Sequence, residues 1–104
     1  MAPAPPADFS TEDRMLHEVL EDFYWRHRAT NLANINSIVA TYRGASVAHL
    51  WAKLAIKYNV PAAEGVELLS RTLYQSSPFE YGQKERFQGL YRQYWLYRVG
   101  VRGL

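Results

Sequence analysis

Three histidines, ten carboxylates and a basic, aromatic C-terminal stretch are the side chains of this sequence that could do chemistry. His17 and Glu21 stand one helical turn apart, a spacing that could hold a metal. No second histidine follows at four-residue spacing, cysteine is absent and no HExxH pattern occurs. Real zinc sites need more ligands than that. His17, His27 and His49 are therefore read as unrelated surface or boundary residues, with no metal site. Glu12-Asp13 and Glu21-Asp22 are adjacent pairs, so their members point to different sides of a helix. They read as solvated faces and as partners of a helix N-terminus. Ser10, Ser37, Ser46, Ser70, Ser76 and Ser77 lack a nucleophile-elbow context. The glycines form neither a G-x-G-x-x-G nor a P-loop. The reading is of no catalytic residue, no cofactor, no small-molecule substrate and no enzyme.

The C-terminal segment is different. Phe79, Tyr81, Phe87, Tyr91, Tyr94, Trp95 and Tyr97 are seven of the fifteen aromatics in the chain. Arg86, Arg92, Arg98 and Arg102 interleave them. Tyr, Trp and Arg are the residues that dominate protein interfaces. The same mixture could stack bases and neutralise phosphates. In a helix, Phe87, Leu90, Tyr91 and Tyr94 share one face, and Trp95 and Leu96 fall off it. Apolar residues left off the packing face are what an interface requires. Trp95, Leu96, Tyr97, Arg98, Arg92 and Arg102 are the candidate partner-binding residues. The expected partner is a protein or a second copy of this chain, with nucleic acid as the alternative.

These residues must be carried by helices. MAPAPPADF reads as a disordered Ala/Pro leader over residues 1–9, because its prolines favour extended conformers. Ser10 is an N-cap for a helix from Thr11 to His27, inward through Leu16, Val19, Leu20, Phe23 and Tyr24. After a break at Arg28–Asn31, capped by Thr30 or Asn31, a second helix runs to Tyr42, and Gly44 suits its left-handed C′ position. Ser46 can cap a third helix to Tyr58, inward through Val47, Leu50, Trp51 and Leu54. Asn59-Val60-Pro61 stops it, and Pro61 can open a fourth helix to Tyr74 with Val66, Leu69 and Leu73 inward. Gly65 weakens that helix by roughly 1 kcal/mol relative to Ala. Ser77, Pro78 and Glu80 form a capping-box pattern for a fifth helix to Val99, inward through Phe79, Phe87, Leu90, Tyr91 and Tyr94. Residues 100–104 are a tail. No alternating β-branched run survives as a strand. The fold class is all-α: a compact bundle of four to five short helices with a disordered N-terminal leader. One domain spans 10–99, with core helices over 10–75 and the basic-aromatic helix over 77–99.

A chain of 104 residues is one domain with enough mass for one core. The absence of cysteine rules out a disulfide framework. No run approaches the roughly 18 apolar residues of a membrane span, and the N-terminus lacks the charged and apolar regions of a secretory signal. A cytoplasmic location is expected. Charge is uneven. Residues 1–52 hold four arginines against six carboxylates, and residues 53–104 hold eight Lys or Arg against four. The C-terminal end is the electrostatically distinctive part.

The run Leu20, Phe23, Tyr24, Leu32, Ile35, Ile38, Val39, Tyr42, Gly44, Leu50, Trp51, Leu54, Lys57, Tyr58 resembles a helical module of kinetoplastid and other protist proteins, many of them cytoskeletal. It covers residues 20–58. His27 replaces the usual Tyr, Ala29-Thr30-Asn31 replaces Asn-Pro-x-Lys, and Ala45-Ser46-Val47 replaces the acids that follow the glycine. The resemblance implies a non-catalytic helical building block of assemblies, associated with the cytoskeleton. Leu90-Tyr91-Arg92 and Leu96-Tyr97-Arg98 are similar to the tripeptide of the LYR family of small mitochondrial helical proteins. That family carries it near the start of its first helix, so the match is read as coincidence. The function expected is a protein–protein interaction module, a small subunit or adaptor of a larger assembly. An RNA- or DNA-binding subunit using the same helix is the alternative.

Overall fold

Ser10 stops the leader and starts the first helix. Its hydroxyl accepts from the Asp13 amide at 3.1 Å, and the Asp13 carboxylate accepts from the Ser10 amide at 3.3 Å. This reciprocal cap, worth about 1 kcal/mol, opens α1, Thr11–His27. The computed structural model describes residues 2–73 and 82–100. Among these, four more α-helices follow: α2 (Ile35–Tyr42), α3 (Val47–Lys57), α4 (Ala62–Thr72) and α5 (Gln83–Trp95). No strand occurs among the described residues, so the all-α bundle stands. No described helix is long and apolar enough to cross a membrane.

Breaks fall where the special residues stand. Gly44 has φ 75° and Asn59 has φ 58°, both in the left-handed region that ends a helix. Pro61 sits one position earlier than expected, as the residue before α4 with φ −61° and ψ 152°. Its ring fixes φ, and the missing N–H costs nothing there. The second helix starts later than the periodicity predicts. Ala29–Asn34 forms a 310 helix, and α2 begins at Ile35 without a side-chain cap from Thr30 or Asn31. Ser46 precedes α3, but its hydroxyl makes no capping bond.

The core forms from the predicted stripes. Leu20, Ile35, Val39, Trp51, Leu69 and Phe87 are fully buried. Phe23 meets Trp51 edge to face with centroids 5.5 Å apart, and meets Tyr58 in the same way at 5.5 Å. Such pairs add about 0.5–1.5 kcal/mol beyond burial. On α4, Gly65, Leu68, Leu69 and Thr72 face inward, while Val66 stays half-buried at the edge. Gly65 is more than a weak helix former. A Cβ there would lie 2.4 Å from the Phe87 ring, so the glycine lets α5 approach α4.

Residues 2–9 carry no helix or strand, as a leader should, yet they lie along the bundle. His17 Nε2 stands 2.9 Å from the Pro3 carbonyl, and Asn36 donates to the Ala4 carbonyl at 3.0 Å. Phe9 is buried, with the Arg43 guanidinium 5.7 Å above its ring. Arg43 also pairs with the buried Asp13 at 3.0 Å, joining the end of α2 to the start of α1. His17 is therefore a buried structural residue, not the surface or boundary histidine its spacing suggested. A carbonyl only accepts, so the contact needs a hydrogen on Nε2. The expected helix-four end at Tyr74, the Ser77–Pro78–Glu80 cap, inward Phe79 and Tyr81 lie outside the described residues.

Candidate partner-binding site

Four side chains of α5 and the turn after it bind α3 and the segments at its two ends. Arg86 donates to the Ala45 carbonyl at 2.9 Å. The Tyr91 hydroxyl donates to the Val60 carbonyl at 3.1 Å, and the Tyr94 hydroxyl shares a hydrogen bond with the His49 ring at 3.1 Å. Arg98 donates to the Ile56 carbonyl and, at 3.0 Å, to the Asn59 side chain. A cation at the C-terminal end of α3 also complements that helix's dipole. Between these anchors Phe87 fills the core, with Leu90, Tyr91 and Tyr94 packed at its edge. Helix five therefore folds back on the bundle.

Beyond Trp95 the α-helix gives way to a π turn over Leu96–Gly100. Such turns are rare and recur at functional sites. Leu96 and Tyr97, two of the candidate residues, stand on this one and are exposed. Tyr97 is 74% exposed, and Trp95, Leu96 and Val99 are each about half exposed. Arg98 divides them into two clefts. Trp95 and Val99 border one over the Val60–Pro61 loop, and Tyr97 borders the other beside Lys57. Arg98 lines both, but its guanidinium is committed to holding the turn on α3. Arg92 is exposed and makes no ion pair among the described residues. Arg102 lies outside the described residues.

Sequence reasoning passed over a second group. Tyr42, His49, Lys53 and Tyr94 border a groove of about 590 Å³ floored by Leu50 and Leu54. It adjoins the cleft under Tyr97 through Ile56, Lys57 and Tyr94. Lys53 donates to the Tyr42 hydroxyl at 3.0 Å, which holds its ammonium above the usual lysine pKa. Tyr42 stacks on His49 at 16° with centroids 6.3 Å apart. Lys57 lies 5.7 Å from the Tyr58 ring. The four-residue spacing of Lys53 and Lys57 was visible in the sequence, but nothing there placed α2 and α5 on either side of them.

Trp25 was missed too. It is 66% exposed on α1, next to Glu18, Glu21 and Asp22. The signal was its position off the Leu16–Tyr24 stripe. Asp22 is paired with Arg26 at 2.8 Å and lies 3.8 Å from Arg71 of α4. Among the described residues no three His, Asp or Glu side chains gather closely enough to hold a metal. No protein-family model matches the chain, and neither does any curated protein or solved structure.

Proposed function

We propose that this chain is a non-catalytic protein-interaction module, a small subunit or adaptor of a larger assembly. The resemblance of residues 20–58 to building blocks of protist assemblies points to a cytoplasmic, cytoskeletal setting. The observation that carries the reading is the π turn. Pinned by Arg98, it carries Leu96, Tyr97 and Val99 outside the core beside Trp95, the last residue of α5. Four large apolar side chains at one exposed helix end lose water-contacting surface only when something covers them. A rigid base lowers the ordering cost of that contact.

The test is purification of the tagged protein from its native cell, with and without nuclease. The expected result is a stoichiometric protein partner that survives nuclease. Trp95→Ala with Tyr97→Ala should remove that partner while far-UV circular dichroism keeps its helical signal. Unfolding of the double variant would assign both residues to the core and end the reading at this site.

Lys53, Lys57 and Arg98 beside Tyr94 and Tyr97 favour a second reading, nucleic-acid binding. It predicts loss of the bound material on nuclease treatment. It also predicts steep weakening with salt, because phosphate contacts release counterions.

A further inference from the structure

Two faces of the molecule complement one another. The groove over Leu54 and Ile56 is bordered by Tyr42, Tyr94 and Tyr97 and carries Lys53, Lys57 and Arg98, and none of its lining residues is acidic. Lys53 and Lys57 form no ion pair among the described residues. The face on α1 has the opposite character. Its exposed Trp25 stands among Glu18, Glu21 and Asp22 over Leu32. Asp22 is neutralised by Arg26 and Arg71, whereas Glu18 and Glu21 have no ion-pair partner among the described residues. The two faces share no residue, although Tyr24 of α1 lines the groove and its neighbour Trp25 stands on the acidic face.

We propose that a second copy of this chain docks its Trp25 face in the Tyr–Lys groove, head to tail. Three matches support it. An exposed indole covering an apolar floor buries on the order of 200 Å² and takes a favourable position beside a lysine ammonium. Glu18 and Glu21 are three residues apart, and Lys53 and Lys57 are four apart. Each pair spans one helical turn, about 5–6 Å, so two acids can face two cations in register. The groove offers only positive charge where the incoming face offers unpaired negative charge. The contact is heterologous: each copy keeps one face free for the next, so association continues beyond a dimer unless a ring closes. The inference deepens the interaction-module reading by naming one partner, and it shares Tyr97 and Arg98 with that reading.

Sedimentation velocity on the whole chain, from about 10 μM to about 1 mM, tests it. The wild type should gain mass with concentration and lose it when salt rises from about 0.05 to about 0.5 M. Lys53→Glu with Lys57→Glu removes one face, and Glu18→Gln with Glu21→Gln removes the other. All four side chains are exposed, so helicity should be unchanged. Each variant alone should associate at least roughly tenfold more weakly than the wild type. Their equimolar mixture should give a one-to-one dimer and nothing larger, because each supplies the face the other lacks. Trp25→Ala added to the first variant should abolish that dimer, which attraction between two oppositely charged proteins would not require. A wild type that stays monomeric, a mixture that stays monomeric, or a mixed dimer indifferent to Trp25→Ala overturns the proposal. A monomeric wild type whose nuclease-resistant partner still depends on Trp95 would sink self-docking alone. Loss of both would sink the interaction reading as well.

Discussion

Tyr24 shows how burial sets the chemistry of one residue. Burial pushes its phenol from the ordinary 10.0 up to about 12, with Tyr58 nearby adding to the shift. The folded chain therefore keeps a proton that the unfolded chain releases near pH 10. Its contribution to stability is complete below pH 10 and is lost as the pH rises towards 12. Alkaline denaturation followed by circular dichroism should begin in that window, and Tyr24→Phe should shift the onset upward. Ser10, Gly44 and Asn59 act at the same scale through local geometry alone, and each was legible in the sequence for that reason. His17 was not. Nothing in its neighbours announces a bond to a carbonyl fourteen residues earlier.

At the scale of elements, the α4–α5 contact turns on Gly65. Intrinsic propensity says that Gly65→Ala should stabilise α4 by roughly 1 kcal/mol. The Phe87 ring, 2.4 Å from the added Cβ, says the reverse. Overpacking of a filled core costs about 1–3 kcal/mol, so the variant should be destabilised on balance. Urea unfolding decides between them by the direction in which the midpoint moves. The stripes of α1, α3 and α5 were readable because three- and four-residue spacing survives any arrangement of neighbours. The 310 stretch at Ala29–Asn34 and the π turn at Leu96–Gly100 were not, because both carry the same apolar spacing as an α-helix. The Tyr–Lys groove was legible only in part. Lys53, Lys57 and the tyrosines are plain in the chain, but their convergence depends on how α2, α3 and α5 pack.

For the whole molecule, the uneven charge of the sequence becomes a division in space. The acidic half places Glu18 and Glu21 around Trp25, and the basic half places Lys57 and Arg98 around Tyr97. The three tryptophans follow the same plan. Trp51 is wholly enclosed, Trp25 stands on the acidic face, and Trp95 stands at the end of α5. The chain thus carries its own optical labels. Acrylamide should quench the red-shifted emission of Trp25 and Trp95 and leave the blue emission of Trp51. With Trp25→Phe and Trp95→Phe together, the remaining fluorescence should report unfolding alone. With either exposed indole kept singly, a blue shift on mixing would show which face a visitor has covered.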